Sequence, residues 1–148
     1  MLSVYSDEHF MREALKQAAY AAGEGEIPVG AVVVCENRII ARAYNQTEKL
    51  QDVTAHAEML AITSAANYLG GKYLQDCALY VTLEPCVMCS GALFWSQVSK
   101  VVYAAGDPAR GFERLSDKVL HPKTKVVPGV LETESKALLD DFFSKLRK

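Results

Sequence analysis

Two short segments limit what this chain can fold into more than anything else in it. His56-Ala57-Glu58 offers an imidazole and a carboxylate, and Pro85-Cys86-Val87-Met88-Cys89 offers two thiols. A fold that brings them together makes a metal site from His56, Cys86 and Cys89. Three protein ligands leave a tetrahedral zinc ion with one open position, which is how catalytic rather than structural zinc sites are built. Glu58 is then a carboxylate that the metal does not need.

The hydrophobic pattern says how the segments meet. Ser6 is a good N-cap, with Asp7 and Glu8 in the first turn. Phe10, Met11, Ala14, Leu15, Ala18, Ala19 and Ala22 follow at helical spacing up to Gly23 and Gly25. Val29 to Cys35 reads as a buried strand, and Glu36-Asn37-Arg38 turns it into a second strand ending at Tyr44. A helix is predicted over 54–69, stopped by Gly70-Gly71. A strand over 77–83 precedes a second helix, with Pro85 in its first turn, where the missing N–H costs nothing. A strand over 100–105, a long loop over 106–122, a short strand over 125–127 and a closing helix over 133–146 complete the chain. Leu138, Leu139, Phe142, Phe143 and Leu146 would form the inner face of that last helix. This order predicts one α/β domain over residues 1–148, a three-layer α/β/α sandwich around a mixed five-stranded sheet.

In that arrangement His56 and both cysteines fall at helix starts. A spacing of three puts the sulfurs of Cys86 and Cys89 on one face of a turn. The positive end of the helix dipole favours their thiolates. Glu58, one turn-edge away, is placed to move protons at the open metal position.

Other readings of these residues stay open at this level. Cys-x-x-Cys alone is also a redox pair, although Cys86-Val87-Met88-Cys89 lacks that context. A closed structural zinc site would need a fourth ligand, and His121 is the candidate. Cys35 and Cys77 sit in strand patterns and read as small buried hydrophobes.

Net charge is −2, which by itself does not support nucleic-acid binding. Its distribution is uneven. Residues 1–108 carry 7 basic and 12 acidic groups, whereas 109–125 carry Arg110, Arg114, Lys118, Lys123 and Lys125 against two acids. A basic segment on an acidic domain suits a phosphate-bearing partner, and equally a solvated loop. No apolar run is long enough for a membrane span, and the first residues lack signal-peptide features, so a cytoplasmic location without membrane association is expected. Cysteines in that compartment are reduced and available as ligands.

With these residues in place, the chain resembles the cytidine deaminase-like superfamily of zinc deaminases, whose signature has this His-x-Glu and Pro-Cys-x-x-Cys form. Within it, the tRNA adenosine deaminase branch matches over Ile27-Pro28-Val29-Gly30-Ala31-Val32, Thr54 to Met59, Leu79 to Ala92 and Ala137 to Phe143. The resemblance implies hydrolytic deamination of adenosine to inosine at the wobble position of a tRNA anticodon, one zinc ion per subunit, and a homodimer that binds the anticodon loop. It implies that Glu58 carries protons and that His56, Cys86 and Cys89 hold the metal. Asn45 would hold the purine through its amide, although a turn residue ending the strand is an equal reading from the residues alone. The Ala57 N–H, the Glu84 carbonyl and the Val29 side chain would bind the reacting base. Arg110, Arg114, Lys145, Arg147 and Lys148 are candidate phosphate contacts.

The chain departs from that branch in two places. The loop after Ala105 keeps Asp107 and Gly111 but not the usual Gly-Ala-rich run, and Phe94-Trp95 resembles the aromatic pair of guanine deaminases. At helical spacing, such aromatics are commonly core. Deamination of a free guanine or cytosine-type base or nucleoside is therefore the alternative enzyme reading. A non-catalytic zinc module that binds RNA or protein is the alternative from another class.

Overall fold

The structure is a computed structural model that describes residues 5–146. Helix α1 (Asp7–Gly23) leads into the hairpin β1 (Gly30–Cys35) and β2 (Arg38–Tyr44). Helix α2 (Ala57–Leu69), strand β3 (Cys77–Leu83), helix α3 (Val87–Ser96) and strand β4 (Lys100–Ala105) follow. A short 3-10 turn (Phe112–Arg114), strand β5 (Lys125–Val127) and helix α4 (Glu132–Leu146) end the described chain. The sheet order is β2-β1-β3-β4-β5, with β1 antiparallel to both neighbours and β3, β4 and β5 parallel. The expected mixed five-stranded α/β/α sandwich is the one observed.

Alternation along each strand builds the two outer layers. Ala31 and Val33 of β1, Leu79 and Val81 of β3, and Val101 and Tyr103 of β4 face one core with Ala57, Ala61 and Ala65 of α2 and Leu93 of α3. Val32, Val34, Tyr80, Val102 and Ala104 face the other core with Phe10, Met11 and Ala14 of α1. The alanines of α1 and α2 let both helices lie close to the sheet. At Gly30 the approach is so close that a Cβ would strike the Ala14 carbonyl oxygen and the Ala18 amide. Ser6 caps α1 as expected, its hydroxyl accepting from the His9 amide at 3.1 Å.

The closing helix differs from its prediction. Leu138, Leu139 and Phe142 are only half-buried, while Phe143 and Leu146 are exposed. Ser135 is the residue of α4 that is buried; its hydroxyl donates to the Thr82 carbonyl of β3. The helix packs on β4, β3 and α1, and these contacts leave much of its apolar stripe uncovered. Trp95 is likewise not core, being 76% exposed. Among the described residues, no helix is long and apolar enough to cross a membrane.

Candidate metal centre and active-site pocket

His56 and Cys86 lie just before their helices rather than inside the first turn, whereas Glu58 and Cys89 are in the first turns of α2 and α3. His56 (φ −71°, ψ 153°) and Cys86 (φ −74°, ψ 176°) are extended N-cap residues. The predicted start of α2 at residue 54 is too early because Asp52 takes over the local backbone. Its carboxylate accepts from the Thr54 amide and hydroxyl at 2.8 and 2.7 Å, which favours a turn over a helix. Pro85 falls one residue before the cap, because Cys86 is itself still extended. Neither N-cap side chain bonds its own helix, so both are free to face a common point.

They meet there. His56 Nδ1 lies 3.7 Å from Cys86 Sγ and 3.5 Å from Cys89 Sγ. A tetrahedral zinc with bonds of about 2.3 Å to sulfur and about 2.0 Å to nitrogen has S···N edges of about 3.6 Å. The donor set therefore fits zinc in kind and in spacing. The three ligand atoms lie within 4.8 Å of one another. His121 is elsewhere: its ring packs on Phe94 and its Nδ1 accepts from the Lys123 amide. Among the described residues the group has three members, so a tetrahedral ion held by them would have one position left for a ligand from outside the protein.

The pocket is lined by Ile27, Val29, Asn45, His56, Ala57, Glu58, Leu83, Glu84, Cys86, Asp107 and Arg110. Seven of the eight residues expected to hold the metal and base or to move protons line it, and the eighth, Cys89, is fully buried behind it. Of the candidate phosphate contacts, Arg110 lines it too, Arg114 and Lys145 do not, and Arg147 and Lys148 lie outside the described residues. The pocket lies at the ends of β3 and β4, where Glu84 N–H bonds the Ala105 carbonyl. Crevices at the carboxyl ends of parallel strands are where such sheets place their sites. Ala57 is the first helical residue, and its N–H has no helical acceptor and no other partner among the described residues. Asn45 is held at 7% exposure. Its amide donates to the Ile27 carbonyl and its oxygen accepts from the Thr47 amide, leaving one further N–H for a ligand.

Glu58 is 4% exposed. Burial pushes its carboxyl up to about 7, against the opposing pull of its own backbone amide and of His56. A group balanced near neutrality is suited to accept and return a proton. The Cys89 contact and then, against burial, the His56 ring hold Cys86 down to about 3. Cys89 is pushed up, first by Cys86 and then by burial. One thiolate is thus ready at neutral pH, and the second loses its proton when a cation arrives. Cys77 stands apart, with burial pushing it up to about 12, as expected of a strand residue without a ligand role. Its cross-strand neighbour Cys35 is half-buried.

The raised carboxyl has a consequence for stability. In the unfolded chain Glu58 titrates near 4.5. Folding favours its protonated form, so its contribution is intact below that pH and is lost as pH rises to about 7. The difference is worth about 3 kcal/mol. In metal-free protein, Glu58→Gln should therefore gain in Tm relative to the parent between those two pH values. A Tm difference that stays flat with pH would contradict the burial penalty.

Two features of the site were not legible in the sequence. Glu26, 1% exposed, accepts from the Glu48 and Lys49 amides at 3.0 and 2.7 Å and so fixes the loop beyond Asn45. The Glu84 carboxylate does the same for the loop after β4, accepting from the Asp107 and Glu113 amides, both at 2.9 Å. Both are contacts over at least 22 residues, and no local pattern announces them.

Residues 4–105, more than half of the chain, match the family described as the cytidine and deoxycytidylate deaminase zinc-binding region. The chain belongs to that family. The deaminase domain also aligns closely with curated relatives. It is 48% identical to the tRNA-specific adenosine deaminase of Aquifex aeolicus over 145 residues, 95% of each chain. It is similar to a structure from a study of A-to-I editing by tRNA:A34 deaminases at the wobble position of transfer RNA. That match is 41% identical with a TM-score of 0.83, covering 88% of this chain and 99% of the other. A guanine deaminase from Nitrosomonas europaea is 27% identical with a TM-score of 0.80, covering 94% of this chain and 85% of that one.

Proposed function

We propose that this deaminase acts on tRNA, converting adenosine to inosine at the wobble position of an anticodon. The observation that carries the chemistry is the open three-ligand set of His56, Cys86 and Cys89 with buried Glu58 in the same pocket. Support for the substrate comes from the tRNA-specific adenosine deaminase aligned over 95% of both chains. His56, Cys86 and Cys89 would hold a zinc ion, which would supply hydroxide at neutral pH by acidifying a water molecule. Glu58 accepts the proton of the attacking water and passes it to the ring nitrogen beside C6. It then takes the remaining proton from the hydroxyl now on C6 and gives it to the amine as the C–N bond breaks, so water and adenosine become inosine and ammonia. The Ala57 N–H and the spare Asn45 N–H hold the base, the Glu84 carbonyl accepts from its amino group, and Val29 packs on the ring. A base flipped from a flexible loop fits such a pocket.

A free-base reading has two observations in its favour, the Phe94-Trp95 pair and the likeness to a guanine deaminase. Trp95, however, faces solvent and neither aromatic lines the pocket. The two readings separate by ammonia release from an anticodon stem-loop with a wobble adenosine, compared with guanine, adenosine and cytosine offered free. Release from the RNA alone is expected; release from guanine alone would replace this reading.

The protein works as a homodimer in this proposal, as one catalytic domain per subunit in the cytoplasm. Cytoplasmic reduction suits the thiolate ligands. The exposed side chains of Val87, Met88 and Trp95 on α3 support the dimer, since a face this apolar is rarely left in water. Trp95→Glu is expected to shift the mass in sedimentation velocity from dimer to monomer. An unchanged dimer would move the interface elsewhere.

A further inference from the structure

The loop beyond β4 is tied to the metal corner in a way that the chemistry described so far does not use. Glu84 directly precedes Pro85 and Cys86, and the residue is 7% exposed. One oxygen accepts from the Asp107 amide and the other from the Glu113 amide. The two ends of the turn are therefore pinned to a single side chain. Between them, the Gly111 backbone lies directly on the carboxylate. A Cβ there would collide with the Glu84 carboxyl carbon and both of its oxygens, so any side chain would push the carboxylate out of its present place. Gly111 also pairs with Cys86, and the Phe112 amide bonds the Pro85 carbonyl at 3.0 Å.

Arg110 is what this staple carries. Its amide and that of Ala109 donate to Asp107 Oδ1 at 3.1 and 3.2 Å, and the Gly111 amide closes the turn onto the Asp107 carbonyl at 2.8 Å. The backbone of Arg110 is thus fixed from both sides. Arg110 is exposed and lines the pocket, and its guanidinium has no hydrogen bond or ion pair among the described residues. A planar guanidinium left free beside the pocket is suited to a bidentate grip on a phosphate. Holding it in advance lowers the ordering cost of binding. A buried carboxylate is costly unless its oxygens are bonded, and here both bonds are spent on this one turn.

We propose that Glu84 is a positioning residue that, through the 107–113 turn, holds Arg110 in place to bind an RNA phosphate next to the reacting nucleotide. This refinement rests on the RNA reading above. The contact gives RNA an anchor that a free base cannot use.

The test is a double-mutant cycle on binding, in zinc-loaded Glu58→Gln protein so that bound RNA is not consumed. The probe is the anticodon stem-loop, titrated at several salt concentrations. Arg110→Ala should weaken binding roughly tenfold. It should also reduce the slope of log affinity against log salt by about 0.7, the share of one single-strand phosphate contact. Arg110→Lys should keep that slope, because the charge remains. In a Glu84→Gln background, where an amide N–H replaces one acceptor, Arg110→Ala should cost well under threefold. Zinc content checks that Glu84→Gln is folded. Asp107→Ala releases the same turn from its exposed side and should show the same loss of coupling. A tenfold cost of Arg110→Ala in every background would reduce Glu84 to a structural role and overturn the proposal. A salt slope untouched by Arg110→Ala would overturn the phosphate contact while leaving the RNA reading intact. Failure of the parent protein to bind the stem-loop would remove the RNA reading itself, and this proposal with it.

Discussion

Glu58→Gln is expected to lower kcat by about 10³-fold while leaving zinc content and fold in place. The two side chains have the same shape, so the buried position on α2 is filled either way. A carboxylate can take a proton from water and return it; a neutral amide cannot. The position of Glu58 makes this its natural task. It lines the pocket, lies two residues from the ligand His56, and is near the Cys89 sulfur without joining the three-member ligand group. Ammonia release at saturating stem-loop, with zinc measured on the same sample, separates the outcomes. A loss of turnover at full zinc is the expected result. An undiminished rate would take Glu58 off the proton route and favour a different base. A loss that tracks loss of zinc would make it part of metal retention instead.

Cys86→Ser is expected to abolish activity and to take most of the bound zinc with it. Serine is shorter in its bonds, harder as a donor and protonated at neutral pH, whereas the Cys86 thiol is held down to about 3 by its neighbours. Zinc affinity depends on deprotonated soft ligands, and two ligands are too few for a stable tetrahedral site. Stability should follow. A metal present at a thousand times its Kd stabilises the fold by about 4 kcal/mol, and the variant should lose most of that. Chelation of the parent should reproduce the same drop in Tm, and added zinc should reverse it there but not in Cys86→Ser. Cys35→Ser, at the far end of β1 from the pocket, should keep both zinc and turnover. Equal zinc in Cys86→Ser and the parent would mean that the metal lies elsewhere.

How much of this could be read from the chain follows from the range of each interaction. The sheet was legible because Val32, Val33, Tyr80 and Val102 alternate between two buried faces within single strands. The ligand set was legible because the chemistry of His56, Cys86 and Cys89 is carried by residue type and short spacing. Helix starts were off by up to three residues at His56, since Asp52 bonds its local backbone and delays α2. The burial of α4 and of Trp95 was misread for a different reason. Helical spacing shows that a face is apolar but not what covers it. The stapled loop was legible only as a string of turn residues, because the partner of Asp107 and Glu113 is Glu84, at least 23 positions away. Glycine 111 was the one local trace of it: a matched glycine in a loop signals close backbone approach, here to a carboxylate.

The most direct test of the whole account is to map inosine in a tRNA transcript after incubation with the zinc-loaded protein. The transcript should carry adenosine at the wobble position and at other positions of the anticodon loop. The account predicts inosine at the wobble position alone, dependent on Glu58 and on zinc. A transcript that comes back unchanged from active, zinc-loaded enzyme that releases ammonia from a free base would contradict it.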